Sequence, residues 1–114
     1  MTTLYGIKNC DSIKKAKTWL TNNNIEFTYH DYRQDGLDIA WLTEAEQNLG
    51  WEVLLNKRGT TFRQLSEQQK QNLDQASAIA LMLEQPAMIK RPVLIHQGQY
   101  FIGFKAEQYE EILL

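Results

Sequence analysis

Residues 1–32 place the strongest constraint on the fold. Thr3-Leu4-Tyr5-Gly6-Ile7 reads as a short strand and is followed by the polar break Lys8-Asn9-Cys10-Asp11-Ser12; Ile13, Ala16, Trp19 and Leu20 then recur at the spacing of one helix face. Asn22-Asn23-Asn24 stops that helix, and Ile25 to Tyr32 alternates apolar or aromatic residues with polar ones, the period of a half-buried strand. The pattern predicts a βαβ unit, whose crossover makes the two strands parallel and the connection right-handed.

The rest of the chain is helical before it returns to strands. Asp38 is placed to cap a helix carrying Ile39, Leu42, Ala45 and Leu49 on one face, and Gly50 ends it. Trp51 to Leu55 reads as a helical turn, and Asn56-Lys57-Arg58-Gly59-Thr60-Thr61 has the composition of a loop. Ser66 with Gln69 forms a capping-box pattern for a helix toward Asp74, and another helix, Ser77 to Glu84, stops before Pro86. The last part reads as strand Pro92 to His96, turn Gln97-Gly98, strand Gln99 to Gly103 and a closing helix from Ala106 to Leu114. Together these predict an α/β architecture, a four-stranded mixed sheet of thioredoxin-like topology with a helical insertion, Asp38 to Glu84, between its βαβ and ββα halves.

At 114 residues the chain has the length of one domain, 1–114, and can bury roughly two-thirds of its surface. A composition of 43% hydrophobic and 23% charged residues excludes disordered, collagen-like and disulfide-stapled classes. The formal net charge of −2 gives no global field for nucleic acid, so direct nucleic-acid binding is not expected. Charge is uneven, however. Lys8, Lys14, Lys15 and Lys17 crowd the start against Asp11 alone, whereas Asp35, Asp38, Glu44, Glu46 and Glu52 stand together without a basic neighbour. The longest apolar runs fall far short of a membrane span. A single Cys and the absence of a leader pattern after Met1 point to a reducing, cytoplasmic setting.

Cys10 is the first candidate for chemistry. A thiol at a helix start meets the positive end of the helix dipole and unpaired N–H groups, both of which favour thiolate, and Lys8 and Lys14 would add to that field. Ile13 stands where a CxxC motif has its second Cys, so any resolving thiol must come from another molecule, with glutathione or a protein thiol as the simplest sources. Arg91-Pro92 is the second candidate. A proline entering a strand is often cis where it approaches a site, but Pro92 starting a strand and Arg91 as a solvated charge fit equally well. Arg58, beside Gly59 and neighbouring hydroxyls, is a third candidate, suited to anion capture. Trp19, Trp41 and Trp51 read as packing residues, and His30 and His96 lack partners at metal-ligand spacing, so no metal site is expected.

Three segments carry a family resemblance: Tyr5-Gly6-Ile7-Lys8-Asn9-Cys10-Asp11-Ser12, Asn56-Lys57-Arg58-Gly59-Thr60-Thr61-Phe62-Arg63 and Ile89-Lys90-Arg91-Pro92-Val93-Leu94. With these the chain resembles the arsenate reductase family of thioredoxin-fold proteins, which includes the Spx regulators, and within it the YffB-like branch. The resemblance implies a nucleophilic Cys10 and an anion- or thiol-binding set around it of Arg58, Arg91, Lys105, Lys8 and Asn9. It also implies a cis Pro92 close to Cys10. Two positions depart from the arsenate reductases. Asn56 replaces an Arg, with Arg58 displaced from it, and Lys105 replaces an Arg before the last helix; a lysine cannot reproduce the planar guanidinium fork that grips an oxyanion. What the resemblance implies is a thiol-disulfide oxidoreductase that binds no cofactor and uses glutathione as co-substrate. The alternatives are a non-enzymatic regulator that docks RNA polymerase or another redox protein, and an arsenate reductase.

Overall fold

A computed structural model describes every residue except Asn9. In chain order its elements are β1 (Thr2–Gly6), α1 (Asp11–Asn22), β2 (Thr28–Asp31), α2 (Ile39–Leu49), α3 (Trp51–Leu54), α4 (Thr60–Arg63), α5 (Glu67–Gln71), α6 (Gln75–Glu84), a 3-10 turn (Pro86–Met88), β3 (Val93–His96), β4 (Gln99–Ile102) and α7 (Ala106–Leu113). They divide into two compact units: Met1–Gly36 with Arg91–Leu114, and Leu37–Lys90.

The first unit holds the four-stranded sheet, ordered β2-β1-β3-β4. β1 pairs in parallel with β2, while β1 with β3 and β3 with β4 are antiparallel, which is the mixed thioredoxin-like sheet expected from the pattern. The register aligns Tyr29, Leu4, Leu94 and Phe101 across all four strands. Successive side chains of a strand alternate faces, so this row lies on one side, where it joins Ala16, Trp19 and Leu20 of α1 and Tyr109, Ile112 and Leu113 of α7 in one core. Tyr109 is fully buried there, with Trp19 and Phe104 edge-on to its ring at 5.7 and 4.8 Å.

Gly6 and Asp31, paired in the same ladder two residues beyond Leu4 and Tyr29, return to that face. A Cβ on Gly6 would come within 2.8 Å of Ile13 Cγ1 and closer still to its Cδ1. The glycine therefore lets the first turn of α1 lie directly on the end of β1, which keeps Cys10, the N-cap of α1, near the C-terminal end of that central strand.

The second unit packs α2 with α3 and α6, burying Leu42, Ala45, Leu54, Ala78 and Met82. Glu46 is buried too, and its carboxylate accepts the Trp51 backbone N–H at 3.2 Å and the Gln75 side-chain amide, so one side chain ties three helices. Leu55 and Ile89 form an isolated antiparallel bridge.

Most boundaries follow the local signals. Asp38 caps α2 through the Ala40 N–H, Gly50 ends it at φ 84°, and Ser66 with Gln69 closes the capping box. Three differ. β2 begins at Thr28 rather than Ile25, because the Ile25 N–H returns to the Leu20 carbonyl at the end of α1; Ile25 and Phe27 are half-buried against the core without joining the ladder. Residues 60–63 form a helical turn within what reads as loop. α6 starts two residues before Ser77, because Asp74 is its N-cap and Ser77 occupies the third position of a second capping box.

Candidate functional site

Cys10 stands at the N-cap of α1 with extended backbone (φ −93°, ψ 131°), and its carbonyl accepts the Lys14 N–H that opens the helix. Its thiol is half-buried. Burial pushes the thiol up, but the N–H of Ile13, the hydrogen-bonding Arg91 side chain, the N–H of Ser12 and the Arg91 charge outweigh it, and together they hold Cys10 below the ordinary thiol value. The two amides belong to the first turn of α1, where N–H groups have no partner within the helix. Arg91 arrives from the far end of the chain, just ahead of β3.

The Arg91-Pro92 peptide bond is cis. Pro92 is buried and its carbonyl accepts the Gly103 N–H at 2.8 Å, which fixes the start of β3 against the end of β4. Its neighbour Arg91 reaches the Cys10 thiol with its side chain. The Arg91 charge also acts on Tyr32, a buried phenol that burial and the adjacent Tyr5 push up and that Arg91 partly restores.

The other sequence candidates are placed differently. The Lys8 side chain is exposed, but its backbone N–H donates to Asp31 at 2.9 Å. Lys105 is exposed at the N-cap of α7. Arg58 belongs to the Leu37–Lys90 unit, where its N–H donates to Asn56 Oδ1 and it lines an open pocket with Glu52, Lys57 and Lys90. Asn9 lies outside the described residues. Among the described residues there is no group of three metal-ligating side chains, and no helix is long and apolar enough to cross a membrane.

Asp31 was not singled out by the sequence reading. It is 1% exposed, at the end of β2. Oδ2 accepts the Lys8 N–H and, at 3.5 Å, the Tyr29 hydroxyl; Oδ1 accepts the N–H groups of Arg33 and Gln34. Burial pushes the acid up, yet these donors hold it below the usual carboxylate range. Tyr29 shows the converse: burial, then the Asp31 charge and its hydrogen bond, with a smaller part from Cys10, push it up to about 12. A signal was available, since period-two alternation puts Asp31 on the same face as Ile25, Phe27 and Tyr29, an acid where an apolar residue is the norm.

An α/β domain with a parallel-antiparallel sheet, a cysteine at the start of its first helix within reach of an arginine, and a cis-proline next to that arginine in the chain has the build of a thioredoxin-like protein. The ArsC family model matches residues 5–112, and the chain belongs to that family. It is similar to the solved structure of a YffB protein, with 48% identity, TM-score 0.95 and full coverage of both chains. An ArsC-related protein from Brucella melitensis shares 51% identity at TM-score 0.82, over 99% of this chain and 95% of that one. The global transcriptional regulator Spx 2 of Lactococcus lactis is 27% identical over 99% of this chain and 86% of its own length.

Proposed function

We propose that the chain is a glutathione-dependent thiol reductase with Cys10 as its nucleophile. The observation that carries this reading is the thiol held low by the Ser12 and Ile13 N–H groups and by Arg91, in a chain with no second cysteine. The Cys10 thiolate attacks one sulfur of a disulfide, forming a Cys10–S bond as the old S–S bond breaks; the departing thiolate takes up a proton from water. A glutathione thiolate then attacks the mixed disulfide and releases Cys10 as thiolate. When the first disulfide is a glutathione adduct, the second step yields oxidised glutathione, and the two electrons come from glutathione. Arg91 favours the thiolate at both stages and can hold a carboxylate of the incoming tripeptide by two parallel bonds.

The test is turnover. Reduction of a small disulfide should depend on reduced glutathione and vanish in Cys10→Ser. The similarity to an Spx regulator over nearly the whole chain favours a second reading, a docking protein for RNA polymerase or another redox protein. In that case the fold is kept, glutathione supports no turnover, and Cys10→Ser leaves partner binding intact. Arsenate reduction is the less favoured activity, because the resemblance puts arginines where this chain has Asn56 and Lys105, neither of which can form the planar guanidinium fork that grips an oxyanion.

A further inference from the structure

We propose that Asp31 is the positioning residue of the Cys10 turn: its buried carboxylate takes the Lys8 backbone N–H and so fixes where the chain between β1 and α1 delivers the sulfur. This rests on the reading of Cys10 as the nucleophile. Between Gly6, the last residue of β1, and Asp11, the first of α1, the chain has only four residues in which to bring the thiol to the Ser12 and Ile13 amides and Arg91. The Asp31 Oδ2 bond to Lys8, at 2.9 Å, reaches that turn from another strand. Asp31 is itself fixed: its N–H donates to the Asp35 carboxylate at 3.0 Å, its carbonyl accepts the Asp35 N–H at 2.8 Å, and the following Tyr32 N–H donates to the Gly6 carbonyl at 3.0 Å.

A purely local role would need only Oδ1, which closes the turn through Arg33 and Gln34. Oδ2 is directed outward from that turn, to Lys8 and to the Tyr29 hydroxyl, from a face where its neighbours are apolar. Burying a carboxylate is unfavourable unless it is hydrogen-bonded, so an acid at this position is explained by the amide it holds.

The alternative actions of Asp31 differ in sign. Acting only as a nearby negative charge, it would oppose the thiolate, and removing that charge would lower the thiol's midpoint. As an anchor it favours the thiolate by geometry, and loosening it raises the midpoint. Alkylation of Cys10 by iodoacetamide against pH reads this without glutathione, so it is separable from the reductase reading. Asp31→Asn, with circular dichroism to confirm the fold, should raise the midpoint and slow alkylation about tenfold at a pH below it, the effect of a one-unit shift. Turnover should lose kcat with KM nearly kept. A second variant removes only the donor: a synthetic Met1–Asn9 thioester with an ester in place of the Ile7–Lys8 amide, joined to Cys10–Leu114 through Cys10 itself, compared with the all-amide product. It decides the matter if Asp31→Asn does not fold. A raised midpoint in the ester supports the proposal; an unchanged or lowered midpoint in a folded variant overturns it. If the midpoint rises while wild type supports no glutathione turnover, Asp31 keeps its role and the reductase reading falls.

Discussion

Two kinds of group meet at the half-buried Cys10 sulfur, helix-start amides and a guanidinium, and together they hold the thiol below its ordinary value. Of these the guanidinium can be removed alone. Arg91→Ala should raise the Cys10 alkylation midpoint and weaken glutathione capture roughly ten- to hundredfold, the equivalent of about 1.5–3 kcal/mol for a charge-assisted bond. Lys105→Ala, at an exposed cap, should change either far less. Titrations on the two folded variants decide it, and equal losses would mean a diffuse positive patch. Cys10 and the Arg91-Pro92 step could each be picked out from their local context in the sequence, but that they meet followed only from the family resemblance, because the contact joins two distant parts of the chain. Lys8 was read for its side-chain charge, whereas its backbone N–H makes the bond to Asp31. A main-chain donor has no residue type to announce it.

At the scale of elements, the close seating of α1 on β1 depends on Gly6. Gly6→Ala would drive a methyl into Ile13 and should cost about 1–3 kcal/mol in thermal or denaturant melts. Adding Ile13→Val, which removes the closest carbon, should restore part of the loss; no loss in the single variant would show that α1 shifts freely. In the other unit, Glu46→Ala leaves the Trp51 N–H and the Gln75 amide without their acceptor and should cost about 1–3 kcal/mol. Urea melts of Glu46→Ala and Glu46→Gln check this, since the glutamine keeps one carbonyl to accept a bond. Helix starts were the most legible elements, because Asp38 and Ser66 act within a few residues of themselves. The start of β2 was not legible, because period-two alternation records burial and cannot tell a ladder residue from Ile25, whose N–H is already taken by α1.

At the scale of the whole molecule, the sheet unit is assembled from Met1–Gly36 and Arg91–Leu114, so in chain order the helical segment is inserted between β2 and β3. The order of strands and helices and the pairings of β1 with β2 and β3 with β4 were readable from local signals, whereas no local signal marks the pairing of β1 with β3, which spans the whole insertion. The lowered thiol has a consequence for global stability. The folded state releases the Cys10 proton at a lower pH than the unfolded chain, so stability rises with pH through that window and is fully present above the unfolded value of about 8.5. Wild type should therefore gain on Cys10→Ser in reducing melts as pH is raised toward that value, and a constant difference would contradict a depressed thiol. Asp31, also held low, contributes stability that is present above about 3.9 and lost as pH falls through its folded value.

The central claim is that Cys10 forms a mixed disulfide with glutathione and gives it up to a second thiol. Intact mass of the reduced protein after oxidised glutathione, and again after excess reduced glutathione, measures both halves at once. Wild type should gain one glutathione at Cys10, lose it on reduction and regain it on a second oxidation, while Cys10→Ser gains none. A wild-type protein that takes no adduct, or holds one that reduced glutathione does not remove, would contradict the account.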